Sequence, residues 1–551
     1  MKPGKYMKSA MLLGLISMTV FIGNLSNKEV HQASAAESGI QTVASVTSQA
    51  ITVTTTDLYP VGVEKNGETK FGYMDGAGQI VIQPKYMSAG NFSEGLAVVY
   101  NGKKYQVINQ KGEVSFETDS MITDFHNGFA SFMDTKNYKN GYIDTKGKVA
   151  IKAKYGFAGN FQADHTAYVT ENGKIHKINS AGKILKTYQL NSKYNYYDVT
   201  EDGLVIFNNP NNFRMGVVNL QGKVILQSKY GEITYLGNHR FGVKEALPDG
   251  ESYLMGVKPS AIFTQDGKKL TSYQYYDLSA FYGDYASATD DKYTYVIDKA
   301  GNKMSAWPQL EGRGSIKVLG EVLQADIDNE MFYVTKDGKS LWKKDTTTVL
   351  PSKITVTAIK TSPNKFVVVN YPEISGISDA KVQDSINKKL KTYFTKSRMN
   401  IEEGEYLTVD DSFTVQQIGD LLIVQKTGYD YPIGAAHGQP LRFYYFINVK
   451  TGDFYQLKDL FKKDSNYVSK LSKLISSQMK QNSKNGFSYF VSKAPVKKDQ
   501  YFYINKNKLI IYYDCADITA YAAGFPEFEI SFQNIKSIIN TEGSFWKSFQ
   551  K

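Results

Sequence analysis

Phe71-Gly72-Tyr73-Met74-Asp75-Gly76-Ala77-Gly78, followed after one residue by Ile80-Val81-Ile82-Gln83-Pro84-Lys85-Tyr86, is the stretch that decides the fold. Its first half is a short apolar strand running into a tight turn. Asp opens the turn by bonding its own backbone, and Gly three residues later supplies the positive φ that closes a hairpin. The turn recurs at Asn109–Gly112, Asp144–Gly147, Asn179–Gly182, Asn219–Gly222 and Asp298–Gly301, with degenerate copies at Thr264–Gly267 and Thr335–Gly338. Successive turn glycines stand 34, 35, 35, 40, 45, 34 and 37 residues apart. Three or four short strands per unit cannot bury a core alone, so neighbouring units must stack or be arranged radially. The spacing predicts an all-β repeat domain over 59–342, β-propeller-like because closure protects strand edges, with a β-solenoid as the alternative.

Before the repeats, Lys2, Lys5 and Lys8 precede an apolar run from Ala10 to Gly23. Ala33-Ser34-Ala35 and Ser34-Ala35-Ala36 then offer small-x-small cleavage sites, so residues 1–36 read as a signal peptide and 37–58 as a linker. The run is shorter than the roughly 20 residues of a spanning helix, and no transmembrane anchor is expected. One Cys in 551 residues, Cys515, allows no intrachain disulfide and reads as a small buried apolar residue. The expected location is outside the cell, with association to the cell wall.

After the repeats, 343–352 reads as a second linker and 353–551 as an α+β domain. Ser378 is the expected cap of a helix from Asp379 that faces Val382, Ile386, Leu390, Tyr393 and Phe394 inward. A second helix is expected from about Ser465 to Lys480, with Val468, Leu471, Ile475 and Met479 on one side and Lys470, Lys473 and Lys480 opposite. Strands are expected over 421–426, 441–449 and 509–513 and through Phe528, Ile530 and Phe532.

Two family resemblances attach to these residues. Phe71-Gly72-Tyr73-Met74-Asp75, Pro84-Lys85-Tyr86 and Phe92-Ser93-Glu94-Gly95-Leu96-Ala97 resemble a WG-repeat unit, although Phe71 stands where that pattern has Trp. The resemblance implies a β-repeat domain with a binding role. Pro432-Ile433-Gly434-Ala435-Ala436-His437-Gly438 and Tyr521-Ala522-Ala523-Gly524-Phe525-Pro526, with the strand between them, resemble the extracellular domain of the lysozyme-sensing anti-sigma factor RsiV, a domain of unknown function of the type numbered 3298. That resemblance implies recognition of lysozyme or another envelope ligand. Only nine residues precede the apolar run, so the regulatory role is not expected to carry over.

Charge is unevenly placed. Residues 37–352 hold 34 basic and 34 acidic side chains, whereas 353–551 hold 27 basic against 19 acidic, an excess of +8. A basic exported domain suits an anionic wall polymer or acidic glycan. Export and the lack of a nucleic-acid signature make nucleic acid an improbable partner.

Catalytic constellations are scarce. His126, His165, His176 and His239 are scattered, and neither a zinc spacing nor a nucleophile elbow occurs, so no metal, cofactor or catalytic residue is assigned. Asp326-Ile327-Asp328-Asn329-Glu330 lacks the glycine of a calcium loop and reads as a solvated acidic loop. Glu402, Glu403, Glu405, Asp410 and Asp411 could pair carboxylates for glycoside chemistry, but a solvated loop is the stronger reading. The candidate ligand-binding residues are His437, between small residues, and Lys470, Lys473 and Lys480. For His437, pinning its own loop by hydrogen bonds outweighs ligand contact. The expected function is non-enzymatic binding of a cell-wall polymer, with a lysozyme-like protein as the alternative partner and a wall hydrolase with an unrecognised site as a second alternative.

Overall fold

The six Asp or Asn residues that open the repeat turns all do the same work. Each side-chain Oδ1 accepts the backbone N–H groups two and four residues on, at 2.8–3.1 Å. In the two degenerate copies the Thr hydroxyl substitutes: Thr264 accepts from Lys268 N at 3.1 Å and Thr335 from Lys339 N at 3.2 Å. All eight turn glycines have φ between 75° and 86°. The computed structural model describes residues 57–65, 68–248, 252–402, 404 and 406–550. The expected signal peptide and nearly all of the first linker lie outside the described residues.

The chain divides between Ser228 and Lys229 into two compact units. In the first, the three repeats between Ser88 and Tyr188 are separate antiparallel sheets. Ser88–Ala89, Leu96–Tyr100, Tyr105–Asn109 and Val114–Thr118 pair in chain order, and the same four-stranded meander recurs over 121–155 and 157–188. In these three repeats strands pair within the repeat, which is the blade pattern of a propeller, whereas the strands from Asn195 to Thr264 join in one six-stranded sheet.

The Gly-Tyr pair explains how one repeat meets the next. A Cβ on Gly72 would lie 2.3 Å from Ile82 O, and one on Gly141 2.5 Å from Ile151 O, so only glycine lets the bulged partner strand come this close. The neighbouring tyrosines are buried, and their hydroxyls reach forward 17 residues: Tyr73 to Gly90 O at 2.8 Å, Tyr142 to Gly159 O at 2.6 Å. A polar chain then runs from repeat to repeat, from Ser93 Oγ to Phe125 O (2.7 Å) and from Asn127 Nδ2 to Phe161 O (2.8 Å).

The second unit carries two more such meanders, over 277–311 and 314–343, together with the α+β region. A seven-stranded sheet runs in the order Thr348–Val349, Thr355–Asn364, Val367–Ser375, Leu407–Ile418, Leu421–Pro432, Gln439–Asn448, Phe454–Tyr455. It is antiparallel except where Val367–Ser375 pairs parallel with Leu407–Ile418, and helix α1 (Ala380–Thr395) bridges that crossover. Asp379, rather than Ser378, caps α1, accepting from Lys381 N and Val382 N.

Both sheet faces are covered, which is why Leu421-Leu422-Ile423-Val424 is an unbroken apolar run. Leu422 and Val424 pack with Ile386, Leu390 and Phe394 of α1. Leu421 and Ile423 pack with Leu471, Ile475 and Met479 of helix α2 (Tyr467–Lys484) and with the sheet Phe502–Ile504, Lys508–Tyr512, Glu527–Ser531. The segment expected as a second linker contributes the Thr348–Val349 strand, and Leu350 is buried beside it. Phe366 packs against Leu254 and Val257, and Lys360 pairs with Asp328 at 2.8 Å, so the α+β region and the last repeats share an interface.

Two acidic expectations are corrected. Asp326–Glu330 is not a solvated loop: Asp328 and Asn329 take φ of 53° and 63° in a two-residue hairpin turn between Val322–Ile327 and Glu330–Thr335. The Asp328 carboxylate is 5% exposed, accepting from Arg313 N at 2.9 Å as well as pairing with Lys360. Asp410 and Asp411 lie on the Leu407–Ile418 strand instead of a loop, and Asp411 is fully buried. Glu403 and Glu405 lie outside the described residues.

Candidate functional site

Gly438 is the pivot of the region that the sequence singles out. It opens the approach to the Gln439–Asn448 strand, and a Cβ there would stand 2.6 Å from both Asp430 O and the Tyr429 ring. Its N–H donates to the Tyr429 hydroxyl at 2.8 Å, and its carbonyl accepts from the Tyr521 hydroxyl at 2.8 Å. The exposed His437 ring stacks on Tyr521, centroids 4.1 Å apart and 26° from parallel, with Nδ1 3.1 Å from Gly438 O. The Ala-His-Gly and Tyr-Ala-Ala-Gly segments are thus one surface feature. Burial, then a hydrogen bond with Tyr429, holds the Tyr521 phenol above its ordinary value.

Arg442, four residues beyond Gly438 on the same strand, went unnoticed in the sequence. Its guanidinium lies 4.4 Å from both the Tyr512 and Phe525 ring centroids and pairs with Glu527 at 2.8 Å. Tyr503 donates to the other Glu527 oxygen at 2.8 Å, and Tyr512 donates to Arg442 O at 2.7 Å. Arg442 Nε and Nη2 are buried without a hydrogen-bond partner among the described residues. A signal was available: the 27 basic residues of 353–551 include only two arginines, Arg398 and Arg442, and both stand in tertiary networks.

The three candidate lysines ride on α2. Leu471, Ile475 and Met479 bury its inner face, while Lys473 and Lys480 are exposed. Lys470 Nζ donates to Ser537 Oγ at 2.9 Å, and Lys462 Nζ donates to Ser537 O at 2.9 Å, so two ammonium groups converge on one serine that carries no charge. Among the described residues, none of Lys462, Lys470, Lys473 and Lys480 forms an ion pair with a carboxylate.

Residues 71–105 and 141–174 match the WG containing repeat, and residues 458–533 match the family described as Protein of unknown function (DUF3298). The chain carries WG repeats and a DUF3298 region. Two DUF3298 structures are similar to it: one from Bacteroides fragilis (17% identity, 37% of this chain and 99% of that one, TM-score 0.28) and one from Pseudomonas aeruginosa (14%, 35% and 94%, TM-score 0.26). Hsv2 of Kluyveromyces lactis is similar at 13% identity over 49% of this chain and 90% of its own, TM-score 0.26. No curated protein matches.

The DUF3298 match takes in α2 and the three-stranded sheet beneath it; Arg442, on the Gln439–Asn448 strand, and His437, just before that strand, precede the match. Behind them lies a buried ionic cluster. Arg398 donates to Asp411 from Nε (2.9 Å) and Nη2 (3.0 Å) and to Asp430 from Nη1 (2.8 Å) and Nη2 (2.7 Å). Lys426 Nζ completes it at 2.8 Å from Asp411. Burial pulls the Arg398 guanidinium down, but the two carboxylates outweigh it and the net direction is up; for Lys426 burial prevails and the direction is down. Two cations and two anions balance, so this cluster anchors the sheet below the His437 loop. No group of His, Cys, Asp and Glu able to hold a metal occurs among the described residues. Nor is any described helix long and apolar enough to cross a membrane.

Proposed function

We propose that this is an exported, non-enzymatic binding protein of the cell envelope, in which the repeats form a platform and the basic C-terminal region reads an anionic wall polymer. The observation that carries the reading is the convergence of Lys462 and Lys470 on Ser537, beside exposed Lys473 and Lys480, with no carboxylate to neutralise them among the described residues. A polymer bearing regularly spaced negative charges supplies the missing counter-charge to such a face. Export rests on the leader pattern at 1–36 and on the near absence of cysteine. The His437–Tyr521 surface is a separate feature, and a lysozyme-like partner there is the competing reading. Lysozymes are typically basic, which slows their approach to a domain of the same sign.

The full chain from residue 37 is the right material for the test, because the α+β region packs on the last repeats through Phe366. Immobilised protein is offered solubilised envelope polymers and, separately, lysozyme. Capture of anionic polymer supports the proposal; capture of lysozyme alone replaces it.

A further inference from the structure

A cleft of about 510 Å³ opens in the repeat region, lined by Lys229, Tyr230, Glu245, Phe263, Lys269 and Tyr273. The size lies within the ~300–1,000 Å³ of ligand sites. Tyr230 and Glu245 face each other across the pairing of Val224–Gly237 with Arg240–Glu245, and buried Phe263 forms the floor, its ring 5.7 Å from that of Tyr230 and edge-on to it. Tyr273 stands in the loop that follows, its phenol pushed up to about 12 by burial first and then by Glu245 and Tyr230. Each lysine lies over a tyrosine ring, Lys229 over Tyr230 at 5.4 Å and Lys269 over Tyr273 at 5.1 Å.

The unused charge is the informative feature. Lys229, Lys269 and Glu245 line one cleft, yet none of the three forms an ion pair among the described residues. Aromatic rings with polar tips, ammonium donors and one carboxylate acceptor are together the chemistry that holds a sugar. Apolar C–H faces lie on the rings, and hydroxyls bond to the charged groups. Two lysines against one glutamate favour a saccharide that carries an acid. We infer that this cleft is a binding site for an acidic oligosaccharide, separate from the lysine face of α2 and independent of the reading given to that face.

The test uses the full chain from residue 37 and trigalacturonate as the probe, with maltotriose as the neutral comparison, by isothermal titration at low salt. Trigalacturonate is expected to bind saturably and maltotriose at least about tenfold more weakly. Lys269→Gln and Tyr273→Ala, both in a surface loop, are each expected to weaken trigalacturonate about tenfold with unchanged melting temperature, and Lys470→Gln/Lys473→Gln/Lys480→Gln is expected to leave this binding intact. Absence of saturable binding overturns the inference. So does binding that survives Lys269→Gln and Tyr273→Ala, or that is lost with the α2 lysines, since it then resides elsewhere. Equal affinity for maltotriose overturns the acidic class.

Discussion

The imidazole of His437 lies on the ring of Tyr521 with centroids 4.1 Å apart, although 83 residues separate them in the chain. The Tyr521 hydroxyl also closes on Gly438 O, so ring stacking and hydrogen bonding hold the same loop. An aromatic pair of this kind contributes about 0.5–1.5 kcal/mol. His437→Ala should lower the unfolding free energy by about that amount and leave retention on cell wall unchanged. Chemical denaturation and wall retention on one preparation check both halves.

Asp411 accepts from Arg398 and Lys426 with its side chain fully buried. Asp411→Ala leaves buried Lys426 without its carboxylate and Arg398 with Asp430 alone, and breaking such a buried pair costs about 3–5 kcal/mol. Urea denaturation followed by far-UV circular dichroism reads the loss. A change under about 1 kcal/mol would show that water or another group satisfies the cations.

Gly147 and Gly222 occupy the same turn position, with φ near 82° in both. A Cβ on Gly147 meets Phe116 Cγ of the preceding repeat at 2.6 Å, whereas nothing lies within 4 Å of one on Gly222. Gly222→Ala should cost only the backbone strain of about 1 kcal/mol, and Gly147→Ala clearly more. Paired melting curves decide it.

Burial alone raises the Asp326 carboxyl above its ordinary 3.8. A raised folded value means that the native state holds its proton longer than the unfolded chain. Stability from this group is therefore present below pH about 4 and is lost as pH rises through the folded value. Asp326→Asn should raise the melting temperature at pH 7, and the gain should vanish as pH falls below about 4.

Local rules made the repeats legible. The Asp75 and Asn109 turns are set by one side chain and one glycine, so spacing located every turn glycine, and strand pairing within the repeats between Ser88 and Tyr188 followed. Helix α2 was legible because Leu471, Ile475 and Met479 share one face, although it runs to Lys484, beyond the expected end at Lys480. The Thr355–Asn364 and Leu407–Ile418 strands escaped notice because their polar residues make long-range contacts that no local pattern encodes. Asp411 illustrates this: next to Asp410 in sequence it resembles a solvated acidic loop, yet its partners Arg398 and Lys426 come from a helix end and a neighbouring strand. Arg442 was hidden likewise, since Tyr503, Tyr512, Phe525 and Glu527 reach it only through the tertiary fold.

In the proposed function the α2 lysines read an anionic wall polymer through screened electrostatics. Gln has a helix propensity close to that of Lys, so Lys470→Gln/Lys473→Gln/Lys480→Gln should keep α2 intact. The decisive measurement is retention of wild type and triple variant on purified cell wall across a salt series, since the Debye length contracts from about 10 Å at 0.1 M to about 3 Å at 1 M. Wild type is expected to elute progressively as salt rises, and the triple variant at distinctly lower salt with an unchanged melting temperature. Wall retention that ignores salt, or tight lysozyme binding that survives the triple change, would contradict the proposed function.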